Sequence, residues 1–142
     1  MTLQLKFVES VPEIMEEGVL YVSITYCTVM HLCVCGCGNE VVTRISPADW
    51  QLKFDGKSIS LNPSIGNWNF DCRSHYWIVN NQVRYAENWS DEKVARGRAR
   101  ERERKGKFYS VEAPKKNEPV IIEQLKPKSR SKLERLKSFF NF

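Results

Sequence analysis

The sequence predicts a mostly β fold of the small α+β kind. Antiparallel hairpins stabilised by a zinc site come first, and a charged, partly helical C-terminal extension follows. Three observations carry this reading. Short runs of alternating apolar and polar residues fill the first 90 positions. Turn-forming pairs such as Asp55-Gly56 separate those runs. The cysteines and histidines all fall in the same stretch, most of them in two tight groups. A period of two is the mark of a strand with one face in the core.

The elements follow in order. Pro12 to Glu17 is expected to form one helical turn. From Gly18, Leu20, Val22, Ile24 and Tyr26 fall on one face and Tyr21, Ser23 and Thr25 on the other, which predicts a half-buried strand. Val41 to Ile45 is a short second strand. Trp50, Leu52 and Phe54 alternate with Gln51 and Lys53, then Ile59 and Leu61 resume the alternation beyond Asp55-Gly56. Asp-Gly between two such runs signals a hairpin because both residues tolerate positive φ. Tyr76 to Ala86 predicts another hairpin, turning at Asn80-Asn81. Beyond Asp91 the chain is nearly all charge as far as Lys107, with Ser90 placed to cap a helix and alternating Arg and Glu to support it. Pro114, Pro119 and Pro127 then divide the chain, and Ser131-Lys-Leu-Glu134 has the form of a capping box before Leu133, Leu136 and Phe140 at helical spacing. That last segment suits a docking helix.

Composition sets the limits. Hydrophobic residues make up 42% and charged residues 27% of 142 positions, which fits a globular protein rather than disorder throughout. No apolar run is long enough to span a bilayer, and the first residues lack the layout of a signal peptide, so the expected location is the cytoplasm, with no membrane partner. The net charge of +5 is unevenly placed. Residues 1–90 hold 6 basic and 9 acidic side chains, whereas residues 91–142 hold 16 and 8. The chain therefore divides into a zinc-binding β domain, 1–90, and a basic tail, 91–142, that is partly helical or flexible. The basic pI belongs to the tail.

His31-Leu-Cys33-Val-Cys35-Gly-Cys37-Gly38 is the densest chemistry, and Cys72-Arg-Ser-His75 adds a fourth thiol and an imidazole. In a reducing compartment such thiols stay free. Zinc takes four sulfur or nitrogen ligands in a tetrahedron, usually from two separated pairs, and Gly36 and Gly38 permit the tight backbone that brings neighbouring cysteines onto one ion. Cys33, Cys35, Cys37, Cys72 and His75 compete for four places. Cys35, Cys37 and Cys72 are favoured, with Cys33 or His75 fourth. Cys27 stands apart and is expected in the core.

Three blocks, His31 to Gly38, Ser60-Leu-Asn-Pro-Ser64-Ile-Gly-Asn67-Trp68 and Cys72-Arg-Ser-His75-Tyr-Trp77, resemble in their order a family of small bacterial proteins described as a domain of unknown function. The resemblance covers about residues 10–90. Members of that family look like zinc-binding domains, and many are encoded beside bacterial ubiquitin-like conjugation components. The resemblance implies the handling of a ubiquitin-like protein by a peptidase or deconjugase that matures it or removes it from targets. The conjugating enzymes are further partners it implies.

Hydrolysis of a peptide or isopeptide bond needs a nucleophile, a base and donors for the oxyanion. Ser64 in the turn-like Pro63-Ser-Ile-Gly66 is the expected nucleophile of a serine-type mechanism, His31 the expected base, and Asn67 or Asp71 the group that orients the imidazole. Against this stand plainer roles: Ser64 as a turn residue and His31 as a core histidine. The aromatics Trp68, Phe70, Tyr76 and Trp77 suit core packing, and an exposed subset suits gripping an extended tail by strand addition at a sheet edge. That binding mode would equally serve a non-enzymatic zinc adaptor of the conjugation system, the second reading. A nucleic-acid-binding zinc protein is the third, since Arg96 to Lys105 and Lys126 to Lys132 can pair with phosphates. Glutamates interrupt the first of these runs, which disfavours it.

Overall fold

Eight short strands and one long helix make up residues 1–112, the part of the chain that the computed structural model describes. The strands β1 (Gln4–Phe7), β2 (Val19–Ser23), β3 (Thr28–Leu32) and β4 (Glu40–Arg44) form one sheet in that order. A second sheet holds β5 (Gln51–Phe54), β6 (Ile59–Gly66), β7 (His75–Val79) and β8 (Gln82–Tyr85), again in sequence order. All neighbours are antiparallel except β1 and β2. The mostly β expectation is met, and the helix α1 (Asp91–Glu112) opens the charged extension.

Both expected hairpins form. Between β5 and β6, Asp55 Oδ1 accepts the backbone N–H of Lys57 (2.9 Å) and Ser58 (2.7 Å), and Gly56 takes φ 96°. Those donors hold the Asp55 carboxyl down at about 2. Between β7 and β8, Asn80 and Asn81 both take positive φ, as a tight two-residue turn requires.

The sheets share one core. Leu20, Val22, Val29 and Val41 from the first meet Ile59, Leu61, Ile65, Tyr76 and Ile78 from the second. The sheets are also linked by backbone pairing: Leu3 N–H donates to Asn81 O (2.7 Å) and Val83 N–H to Met1 O (2.9 Å).

Some expectations change in the fold. The strand from Gly18 stops at Ser23, because the chain turns over Ile24 to Cys27, leaving Ile24 and Tyr26 exposed. Its β2 portion is buried on both faces rather than one. Leu20 and Val22 face the main core, while Val19 and Tyr21 pack with Met15 in a second cluster. Pro12 to Glu17 is therefore not a helical turn but an irregular cover over that strand, with the Glu16 N–H donated to Tyr21 Oη (3.1 Å). Cys27 is exposed at φ 49° in the turn and not in the core.

At the start of α1, Ser90 Oγ accepts the Lys93 N–H (3.3 Å), as its capping role requires. Side chains fasten the helix to the sheets: Lys105 pairs with Asp49 (2.6 Å), Arg98 donates to Asn69 Oδ1 (2.7 Å) and Arg104 to Ala48 O (3.3 Å). The capping box at Ser131 and the stripe Leu133, Leu136 and Phe140 lie outside the described residues, as does the basic run Lys126 to Lys132.

Candidate active site and thiol cluster

The site begins with an irregularity in β6. Leu61 pairs with Ile78 and Ile65 with Tyr76, so four steps along β6 match two along β7. Bulges of this kind re-aim side chains. Ser64 lies within the bulge. Because Gly66 stands opposite His75, Ser64 and His75 fall on the same face of adjacent strands, away from the core-facing pair Ile65 and Tyr76.

The imidazole at Ser64 is thus that of His75. Its Nε2 lies 2.9 Å from Ser64 Oγ and its Nδ1 lies 2.6 Å from the backbone oxygen of Glu87. A carbonyl oxygen can only accept, so Nδ1 carries the hydrogen, and in the neutral ring Nε2 is then the nitrogen that presents its lone pair to the serine hydroxyl. Aromatic rings fix the imidazole: Trp68 at 5.0 Å and Trp89 at 5.3 Å between centroids, with the two indoles stacked on each other at 5.6 Å. Gly66 makes room for this, since a Cβ there would overlap the Trp68 ring.

His31 sits elsewhere. It is fully buried, and its Nε2 lies 2.7 Å from Tyr76 Oη. Burial alone draws its pKa down to about 4, so the ring is neutral. Its distance from Ser64 follows from parity: Tyr76 faces the core while its neighbour His75 faces the other way. Asn67 is likewise not at His75. It donates Nδ2–H to Ser74 Oγ (2.9 Å) and Tyr76 Oη (3.3 Å). Among the described residues no carboxylate, Asp71 included, is hydrogen-bonded to either histidine. The main-chain oxygen of Glu87 takes that place. Sequence reasoning missed it because any residue's carbonyl would serve, and it missed the enclosing role of Trp89 for want of the packing.

The thiols converge as a separate group. Sulfurs of Cys33, Cys35, Cys37 and Cys72 all lie within 4.8 Å of one another. Cys33 to Cys35 measures 3.5 Å, and Cys72 stands 3.8 Å from both Cys33 and Cys37. A tetrahedral ion with metal–sulfur bonds of about 2.3 Å needs sulfurs about 3.8 Å apart, so the four fit a metal. Gly36 and Gly38 at φ 87° and 80° turn the backbone so that Cys35 joins its neighbours instead of pointing away. The fourth member is Cys33. His75 stands outside the group, with both ring nitrogens engaged as described.

Polar neighbours surround the sulfurs. Asn39 Nδ2–H donates to Cys37 Sγ (3.2 Å), and Ser74 Oγ lies 3.1 Å from Cys33 Sγ. As free thiols the group ionises unevenly. Desolvation, then the adjacent sulfurs, push Cys35 up to about 12, while the Asn39 backbone N–H draws Cys37 down to about 6. A bound cation would favour the thiolate at every position.

A cavity of about 560 Å³ opens beside the Ser64–His75 pair. The edge strand β4 lines one part of it, and Val94, Gly97 and Arg100 of α1 line another. Among the described residues no helix is long and apolar enough to cross a membrane.

The family described as "Bacterial ubiquitination-like system serine protease (BubE)" matches residues 7–86, which hold both the Ser64–His75 pair and all four clustered thiols. No curated protein and no solved structure matches the chain.

Proposed function

This chain belongs to the family of bacterial ubiquitination-like system serine proteases, and from that premise we propose that Ser64 is its nucleophile, His75 its general base, and a ubiquitin-like protein its substrate. The observation that carries the assignment is the 2.9 Å contact between Ser64 Oγ and His75 Nε2 in the tautomer set by Glu87 O. Ser64 Oγ attacks the carbonyl carbon of the scissile bond while its proton passes to His75 Nε2. The imidazolium then returns that proton to the departing amine, leaving an acyl group on Ser64. Water, deprotonated by the same nitrogen, attacks the acyl carbon, and His75 returns the proton to Ser64 Oγ as the acid departs. The carbonyl of Glu87 holds the ring in place and accepts the hydrogen bond of the imidazolium. The Ser64 N–H lies in the bulge where regular pairing with β7 lapses, and in this mechanism it is the donor offered to the developing oxyanion. His31 acts in the core, as a partner of Tyr76.

Cys33, Cys35, Cys37 and Cys72 would hold the metal, zinc on the chemistry of four thiols. Bound by all four, it would cross-link the β3–β4 and β6–β7 loops. Cys72 lies three residues before His75, so the ion would also help to position the base.

The test is the intact mass of a ubiquitin-like precursor after incubation with the protein. A defined C-terminal loss is expected with wild type and none with Ser64→Ala or His75→Gln at unchanged fold and zinc content. Loss with His31→Gln as fast as with wild type supports His75 as the base. Cleavage that survives Ser64→Ala overturns the serine assignment. No mass change with wild type returns the protein to the role of a zinc adaptor.

A further inference from the structure

Among the described residues no strand pairs with the outer edge of β4, which lies beside the same cavity as Ser64. In the β3–β4 ladder, Cys33 N–H donates to Asn39 O (2.8 Å) and Ile45 N–H to Cys27 O (2.8 Å). Hydrogen-bonded pairs alternate along an antiparallel ladder. With the register Val29 opposite Thr43 and His31 opposite Val41, those two bonds fix the rest. Val41 and Thr43 bond inward to β3, so the backbone N–H and C=O groups of Glu40, Val42 and Arg44 point out from the sheet. Arg44 O is already taken by the Trp50 N–H (3.1 Å). Among the described residues nothing pairs with the outward backbone groups of Glu40 and Val42, a donor and an acceptor each, and both residues line the cavity that also contains Ser64 and His75.

From this we infer that the substrate binds as an extended strand added to β4, paired through the backbone of Glu40 and Val42, and runs from there to Ser64. The ligand class is an extended peptide, because only a backbone supplies donors and acceptors at the strand repeat that this edge presents. Cleavage by Ser64 requires the scissile segment to be unfolded, and an edge strand holds it so. α1 forms another wall of the slot through Val94, Gly97 and Arg100. The inference rests on the serine-protease reading for its kinetic consequence, and on the β4 edge alone for binding.

Val42→Pro removes the outward N–H and leaves the bonds from Val41 and Thr43 to β3 in place. Against a ubiquitin-like precursor, kcat/KM is expected to fall about tenfold, the worth of one backbone hydrogen bond, while p-nitrophenyl acetate hydrolysis stays within about twofold of wild type. Val42→Thr, which keeps the N–H, should behave as wild type toward both. A second measurement needs no turnover. In the Ser64→Ala protein, amide exchange at Val42 is expected to slow when the precursor is added. An unchanged Val42 amide, or a Val42→Pro variant that cleaves the precursor normally, overturns strand addition at β4. If wild type hydrolyses neither substrate, the serine reading fails, and protection of the Val42 amide alone then decides whether the peptide pairs here.

Discussion

His31 and His75 are both removed from water, yet what their nitrogens meet gives them different chemistry. His75 touches one hydroxyl and one main-chain oxygen, which orders its tautomer. His31 meets the Tyr76 hydroxyl at Nε2, while its buried Nδ1 has no hydrogen-bond partner among the described residues. Replacing each should separate catalysis from stability. His75→Gln is expected to lower turnover of the precursor by about 10²–10⁴, the usual contribution of a positioned base. His31→Gln should leave turnover within a few-fold and cost about 1–3 kcal/mol of stability in urea denaturation, because it disturbs a buried polar contact. A His31 variant that folds normally and loses turnover would sink this division. The two histidines were visible in the sequence, but their roles were not. A serine's partner is chosen by the register of its strand with the next, here a bulge that brings Ser64 to the residue opposite Gly66, and no spacing along one chain segment states that.

The elements explain how that pair is held. β6 departs from regular pairing where Ser64 must turn toward His75, and Gly66 then lets Trp68 close over the imidazole. Gly66→Ala forces the indole aside. It is expected to cost about 1–3 kcal/mol, as overpacking does, and to lower kcat more than it raises KM. A thermal melt together with steady-state kinetics checks both. Helix α1 depends on a different interaction, the pair of Lys105 with nearly buried Asp49. Burial by itself would raise the Asp49 carboxyl, but the Lys105 ammonium and Ser46 hydroxyl outweigh it and hold the pKa below the ordinary value. Lys105 is raised in turn, first by Asp49 and then by Glu101. A depressed carboxylate contributes fully above its unfolded pKa and loses that contribution as pH falls through the folded one. A raised lysine contributes fully below its unfolded pKa and fails as pH rises through the folded one. The pair is therefore complete between about pH 4 and about pH 10. Amide exchange along α1 should quicken on either side of that window, and Lys105→Ala should quicken it at neutral pH.

At the largest scale, two four-stranded sheets share one core, and the thiol group lies between their loops. Cys33, Cys35 and Cys37 follow β3, whereas Cys72 precedes β7. One zinc per chain is expected from metal analysis. An ion at a thousand times its dissociation constant stabilises by about 4 kcal/mol, so a chelator should lower the melting temperature by several degrees. Cys72→Ser should do the same without a chelator. Loss of turnover should accompany loss of metal, since Ser74 and His75 continue directly from Cys72. A chelated protein that melts and cleaves as before would show that the thiols do not hold the sheets.

What the sequence determined by itself was local. Alternation and turn pairs announced β5 with β6 and β7 with β8, and a capping serine announced α1. Three cysteines in five residues, with Cys72 and His75 in a second block, announced a metal-type site. Strands β1 and β3 were less legible: β1 is short and pairs in parallel with β2, and β3 leads into the cysteine run, whose ligand chemistry masks its alternation. Tertiary packing alone brings Cys33 into the thiol group, His75 to Ser64, and the Glu87 carbonyl to the other ring nitrogen. Each of those depends on register between strands and on loops meeting across the sheets. Register is set by the burial of the whole core, and it becomes definite only when both sheets have closed on one another.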